Sequence, residues 1–245
     1  MSRFTKAAFS LLKKGIKVKR SFNPSLITPG SNVLIGGDDT HGFYGEVPNE
    51  DFITPQELCD LTGYYQGTLT DNSDGWLKFI IDGKIIFYPK RRIRMSVNWN
   101  SIYAAGMVYG DDTFGTYPST IDTLQDKRIT VGDNVFKVRL LKLNKPEPVD
   151  YTGKLGHAQY NFLRDSEYGK IFFNIIDETE SGFDKWATYP LSIIGEGVEW
   201  QFTMEGSART RPLGFYSMGY VHTSDFTKSA TYGTFCWRPI LELDI

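Results

Sequence analysis

Residues 76–88 have the sequence WLKFIIDGKIIFY, and this stretch predicts a β-hairpin. Two apolar runs, Trp76–Ile81 and Ile85–Tyr88, flank the dipeptide Asp82-Gly83. Asp-Gly between strand-like runs is a strong hairpin signal, because a type I′ turn needs positive φ at both central residues. We therefore expect antiparallel β-structure in this part of the chain.

A second hairpin is predicted over residues 128–141, RITVGDNVFKVRLL, with its turn at Gly132-Asp133-Asn134. After the turn the side chains alternate between two faces, with Val135, Lys137 and Arg139 on one face and Phe136, Val138 and Leu140 on the other. The chain ends WRPILELDI, in which Leu241 and Leu243 alternate with acidic residues. This period of two predicts a half-buried final strand that is part of the core.

Helix signals occur in three places. Residues 53–63 contain an N-cap, a proline at the first helical position, a capping-box glutamate and a final glycine: Thr54, Pro55, Glu57 and Gly63. In this helix we expect Leu58 and Leu61 to face inward. A second helix is predicted over Asn100–Val108 and a third within residues 157–169, HAQYNFLRDSEYG.

The composition is that of an ordinary globular protein, with 40% hydrophobic and 23% charged residues in a chain of 245. We predict the α+β fold class: one compact domain over residues 31–245, with antiparallel hairpins and short helices. Residues 1–30 are predicted to form a basic N-terminal arm and a turn-rich linker. No run of about 18 apolar residues occurs, so no membrane span is expected, and the opening segment lacks the cleavage pattern of a signal peptide.

The predicted arm is strongly basic, because residues 1–37 contain seven positive residues and no Asp or Glu. Its apolar residues recur at spacings of three, four and one, which suits a short amphipathic helix before Gly15. They are Phe4, Ala7, Ala8, Leu11 and Leu12. Two interpretations are open: an arm that docks on an acidic partner, a membrane surface or nucleic acid, or a solvated helix packed on its own domain. The candidate docking residues are Arg3, Phe4, Lys6, Leu11, Lys13, Lys14, Lys17, Lys19 and Arg20. The net charge of −2 argues against nucleic acid as the partner of the whole chain.

Local signatures of enzymes are absent from the sequence. It contains no G-x-S-x-G motif, no Walker loop and no G-x-G-x-x-G after a strand. The three histidines lie far apart, and Asp38, Asp39 and His41 fit a turn better than a metal site. We predict no enzymatic activity, no catalytic residue, no metal and no cofactor.

Two further sets of residues are interpreted as structural. Cys59 and Cys236 have no metal-type spacing and are expected to be buried thiols in a reducing compartment. The basic residues around 90–94 and those in the last third are expected to be solvated or structural. Arg238, between Trp237 and Pro239, is predicted to stack on a ring or to pair with a buried carboxylate.

Five sequence blocks carry a family resemblance: GFYGEVP at 42–48, ITPQEL at 53–58, DGWLKFIIDGKIIFYPKRRIRMSVNWNSI at 74–102, ITVGDNVFKVRLL at 129–141 and WRPILEL at 237–243. In order and spacing they resemble a family of tailed-bacteriophage virion proteins of the tail or tail-fibre type, over about residues 33–245. The ending is also similar to the last strand of C-type-lectin-like folds, whose two chain termini commonly pair as strands. That class includes formylglycine-generating enzymes, but their close catalytic cysteine pair is absent here.

The resemblance implies a structural component of a tailed-phage virion, in the tail, baseplate or neck and collar. Such a protein is made in the bacterial host cytoplasm and incorporated into the virion in multiple symmetric copies, with other virion proteins as partners. One alternative is a receptor- or carbohydrate-binding module that contacts a host surface glycan or receptor. Its candidate ligand-binding residues are aromatic: Trp186, Tyr189, Trp200, Tyr216 and Tyr220. A second alternative is a hydrolase of envelope polymers.

Overall fold

The protein is described by a computed structural model. It describes residues 27–70, 74–115, 122–142, 166–167, 170–171, 199–202, 204, 213–215, 221–223, 228–231 and 233–245. The described strands form two sheets, joined by short helices and turns.

The larger sheet contains seven strands: β1 (Gly36–Gly37), β2 (His41–Val47), β4 (Trp76–Ile81), β5 (Lys84–Pro89), β7 (Arg128–Val131), β8 (Asn134–Arg139) and β13 (Ile240–Leu243). Their order across the sheet is β1-β2-β4-β5-β13-β8-β7, and all neighbours are antiparallel. Both predicted hairpins, β4–β5 and β7–β8, are therefore confirmed. In the first hairpin Asp82 and Gly83 have φ of 51° and 77°, the positive values that its turn requires.

The smaller sheet has the order β11-β10-β9-β12-β6-β3. Its strands are β3 (Thr68–Leu69), β6 (Arg94–Met95), β9 (Glu199–Gln201), β10 (Leu213–Phe215), β11 (Val221–Thr223) and β12 (Phe235–Trp237). The pair β9 and β12 is parallel, and the other pairs are antiparallel. The end of the chain contributes a strand to each sheet, since β12 lies in the smaller sheet and β13 in the larger. Only two residues separate these strands.

The first helix, α1 (Pro55–Thr62), has the predicted capping box. The Thr54 backbone N–H donates to the Glu57 carboxylate at 2.8 Å, and the Glu57 N–H donates to Thr54 Oγ1 at 3.2 Å. Gly63 ends the helix with φ of 70°. A 3₁₀ turn, Asn49–Asp51, precedes α1.

The second helix, α2 (Trp99–Ala104), is shorter than predicted. Gly106 has φ of 74° and breaks the helical path, so the expected extension to Val108 is wrong. Met107 and Val108 are nevertheless buried after the helix ends. Most of the third predicted helix lies outside the described residues.

The core lies on the face of the larger sheet that is covered by the segment around Phe52. The Phe52 ring lies 5.3 Å from Trp76, 4.4 Å from Phe87 and 5.2 Å from Phe136, measured between ring centroids. These three partners come from β4, β5 and β8, so one aromatic side chain ties three strands together. Aromatic pairs at such distances add to the stability that burial alone provides.

Three sequence predictions need correction or comment. Leu58 is buried as expected, but Leu61 is 46% exposed and does not face the core. The apolar run Val33–Ile35 predicts a short strand by its sequence, but the first strand begins instead at Gly36. In β13 all four residues are buried, including Glu242, so the predicted half-exposed alternation is wrong. The strand is buried on both faces, because Leu241 and Leu243 lie in the core on one face and Arg139 and Lys84 cover Glu242 on the other.

The architecture is an arrangement of mostly antiparallel sheets with a few short helices, consistent with the α+β class or a mainly β domain. Among the described strands, β13 pairs with β5 and β8 and not with β1. Both cysteines are free and buried, which confirms the thiol prediction. No helix within the described ranges is long and apolar enough to cross a bilayer.

Candidate functional site

The residues that the sequence singled out for function lie mainly outside the described part of the chain. This holds for the whole basic arm, residues 1–20, and for Trp186, Tyr189, Tyr216 and Tyr220. For Trp200, the backbone is described as part of β9. The described residues nevertheless include the segment from Ile27 onward, which connects the arm to the domain.

Lys78, in the middle of β4, fixes that connection. Its side chain is fully buried and its Nζ donates three hydrogen bonds, to Thr28 Oγ1 at 2.8 Å, Ser31 O at 2.9 Å and Asn32 Oδ1 at 2.8 Å. An ammonium group has three N–H donors, so these acceptors satisfy all of them. We call Lys78 with its three partners the linker anchor.

The three acceptors of the linker anchor are uncharged, so none of them compensates the charge of Lys78. Burial lowers the pKa of Lys78 to about 8, because desolvation disfavours the ammonium form. The ring of Phe87, which lies opposite Lys78 in β5, has its centroid 6.0 Å from Nζ. The charge of Lys78 is therefore stabilised by the dipoles of its three acceptors and by the face of the Phe87 ring.

A close backbone approach supports the same segment. Gly30 has φ of 73°, and a Cβ at this position would lie 2.4 Å from Cγ2 of Val47. Only glycine fits here without strain, because both the conformation and the available space exclude a side chain. Residues 28–32 thus pack against Val47 at the end of β2 and Lys78 in the middle of β4. The sequence signal for this contact was a lone lysine within an apolar strand.

The chain beyond this segment is exposed. Thr28 is buried at 8% exposure, whereas the adjacent Ile27 is 88% exposed. Val33 and Ile35 are also solvent-exposed, at 71% and 65%. The linker anchor therefore holds residues 28–32 on the domain, with exposed apolar side chains on both sides of it.

A second set of charges holds the C-terminal strand. Arg139 donates from Nε to Glu242 at 2.8 Å and from both terminal nitrogens to Glu167, and all three side chains are buried. Lys84 reaches the other oxygen of Glu242 at 2.6 Å. Burial opposes ionisation of Glu242, but Arg139 and Lys84 outweigh it and hold the pKa of this carboxyl below its usual value. These charges are satisfied by one another, which indicates a structural role.

Two buried arginines, Arg94 and Arg238, also have structural contacts. Arg238 lies with its guanidinium carbon 4.7 Å from the centroid of the Tyr88 ring and donates to the carbonyls of Pro89 and Lys90. The stacking predicted from the sequence is thus confirmed. Arg94 is buried and donates to three successive carbonyls in residues 65–67, which fixes the loop after α1.

One exposed cluster contains a histidine. His41 Nε2 and Asp82 Oδ1 are 2.8 Å apart, and Lys170 Nζ lies 2.7 Å from both oxygens of Asp82. Asp38 accepts from the backbone N–H groups of Thr40 and His41, which confirms the predicted turn. Over the described ranges, no group of three or more His, Cys, Asp or Glu residues is arranged to hold a metal ion.

Four exposed acidic residues lie in α1 and in the 3₁₀ turn before it. Glu50 and Asp51 are exposed in the 3₁₀ turn, and Glu57 and Asp60 lie on the exposed side of the helix. We call these four residues the acidic face. Asp60 accepts hydrogen bonds from Gln56 and from the hydroxyl of Tyr65, so this part of the surface is ordered by its own contacts.

Comparison with known proteins finds no relative of this chain. No protein-family model matches the chain, and no curated protein or solved structure is significantly similar to it.

Proposed function

We propose that this protein is a non-enzymatic structural component of a tailed-phage virion, located in the tail, baseplate or neck and collar. Its domain would be displayed on the particle, and the basic segment of residues 1–20 would dock it on other virion proteins. Copies would be arranged with the symmetry of that part of the particle. The resemblance of the five sequence blocks supports the class of protein.

The observation that carries the docking role is the linker anchor. Lys78 binds Thr28, Ser31 and Asn32 and so fixes residues 28–32 on the domain. Ile27, which comes just before them, is exposed at the surface. A fixed, surface-exposed attachment next to a basic segment suits a protein that is held in an assembly by that segment.

A C-type-lectin-like arrangement of the displayed domain is part of the proposal. The position of the last strand inside the larger sheet is in favour of it. Both edges of β13 are paired, with β5 and with β8, so the described strands do not show the pairing of first and last strands that this fold implies.

Mass spectrometry of purified particles from a producing host tests virion membership. We expect the full-length protein in the particles and the loss of a variant that lacks residues 1–20. A matched control keeps residues 1–20 and carries Asp133→Lys in the exposed turn between β7 and β8. Absence of the full-length protein from particles would contradict the proposal, as would normal incorporation of the deletion variant.

Assays on purified protein separate the alternatives. Binding of residues 27–245, which keep Thr28 and Gly30, to host cells or to glycans would support a receptor- or carbohydrate-binding module. Turnover of envelope polymers by the purified protein would support a hydrolase. A purely structural component is expected to show neither activity.

A further inference from the structure

Charge is distributed in three blocks along the chain. Residues 1–20 contain seven Lys and Arg and no Asp or Glu. Residues 21–77 contain nine Asp and Glu and no Lys or Arg. The remaining residues, 78–245, contain 20 of each sign and are therefore neutral. The chain thus has one basic block and one acidic block of similar magnitude, next to each other in sequence.

The acidic block contains an exposed surface in the structure. Glu50 and Asp51 are solvent-exposed, and neither has an ion pair with another described residue. Two large apolar side chains are exposed next to Asp60 of the acidic face: Leu61, its neighbour in sequence, at 46%, and Tyr65, which donates to its carboxylate, at 58%. This surface therefore combines negative charge with apolar groups that water solvates poorly.

The basic block has the matching chemistry. Its lysines and arginines alternate with apolar residues, among them Phe4, Leu11 and Leu12. A segment with both properties can place its apolar side chains on Leu61 and Tyr65 while its cations approach the acidic face. Charge complementarity of this kind also excludes partners of the wrong sign.

We propose that residues 1–20 of one copy bind the acidic face and the adjacent Leu61 and Tyr65 of a second copy of the same chain. This inference rests on the proposed docking role of the arm and names its partner. Because the arm and its receiving surface are different patches, the contact is heterologous. Repeated contacts of this type form a closed ring or a filament, which suits a component of a symmetric particle.

Binding to a second copy, rather than to the same domain, agrees with the path of the described chain. Thr28 is held by Lys78, but Ile27 is 88% exposed, so the described chain begins at the surface, where a neighbouring copy has access to it. Val33 and Ile35 expose further apolar surface on the same segment. A neighbouring copy that receives the arm can cover these side chains as well.

Charge-reversed variants of the full-length protein test the contact by sedimentation velocity. The arm-reversed variant carries Lys13→Glu, Lys14→Glu and Lys17→Glu, and the face-reversed variant carries Glu50→Lys and Asp51→Lys. The control carries Asp122→Lys and Asp133→Lys, two exposed acids outside the acidic block. Thermal unfolding of each variant checks that the domain still folds.

We expect the wild type and the control to form multimers that dissociate as salt increases, because the contact is electrostatic. The association constant of each charge-reversed variant alone should be lower than that of the wild type by a factor of about ten or more. An equimolar mixture of the two should regain association, since the basic arm of one variant can bind the acidic face of the other. Leu61→Ser should weaken association without changing its salt dependence.

A monomeric wild type at low salt would overturn the inference, as would a mixture that stays monomeric or a control that dissociates. Incorporation into particles is measured separately, so the two proposals can fail independently. A monomer that is still found in particles would leave the proposed function intact. A multimer that is absent from particles would leave the self-association intact.

Discussion

Arg139 in β8 and Glu242 in β13 form a buried ion pair, with Nε and Oε2 2.8 Å apart and both side chains nearly inaccessible to solvent. The two residues are 103 positions apart in sequence. Glu167 joins the same guanidinium group, so three distant parts of the chain meet at one cation. The final strand is thus held by charge on one face and by Leu241 and Leu243 in the core on the other.

Replacing Glu242 by Gln should therefore destabilise the protein strongly. Breaking one partner of a buried pair leaves a poorly compensated charge, and we expect the free energy of unfolding to fall by about 3 kcal/mol. Urea unfolding followed by fluorescence measures it. The control Glu46→Gln removes the exposed pair with Lys90 and should cost less than about 1 kcal/mol. An equal decrease in the free energy of unfolding in both variants would show that the buried pair stabilises the protein no more than the exposed pair does.

Lys78 gives a second prediction, on pH. Its pKa is about 8 in the folded protein, whereas the ordinary pKa of a lysine is 10.5. Between these values the unfolded chain holds a proton that the folded protein has released, so unfolding takes up protons and rising pH favours the folded state. Below pH 8 both states are protonated and this contribution no longer changes.

The difference in unfolding free energy between wild type and Lys78→Met isolates this effect, because groups shared by the two proteins cancel. We expect the wild type to gain stability relative to the variant as the pH rises from about 8 to about 10.5. Chemical denaturation at several pH values provides the measurement. Parallel curves over this range would mean that Lys78 keeps its ordinary affinity for protons in the folded state.

Local structure was predictable from the sequence because its causes are local. The turn at Asp82-Gly83 and the capping box of Thr54 and Glu57 depend on residues at most three positions apart, and both are present. The position of α1 relative to the core was harder to predict. Leu58 and Leu61 fit the same helical period, but only Leu58 reaches the core, since Leu61 lies beside Asp60 on the exposed side.

Interactions between distant segments could not be predicted in this way. Alternation in the last strand predicted that Glu242 faces solvent. In the structure the strand lies between β5 and β8, and Arg139 of β8 binds Glu242 on that face. Lys78 likewise follows strand alternation, and its burial depends on residues 28–32 folding over β4. For the arm and for the candidate aromatic residues, the sequence interpretation stays a prediction.

Two glycines in the same backbone conformation allow the close packing of the linker to be measured. Gly30 and Gly63 have φ of 73° and 70°, but a Cβ would meet Val47 only at Gly30, at 2.4 Å, and nothing within 4 Å at Gly63. Gly63→Ala should cost about 1 kcal/mol, the strain of a left-handed alanine. Gly30→Ala should cost about 1–3 kcal/mol more, because the methyl group overlaps a buried side chain. In a Val47→Ala background this extra cost should shrink toward zero, and urea unfolding of the four single and double variants measures it. An unchanged cost in that background would mean that the linker does not pack on Val47.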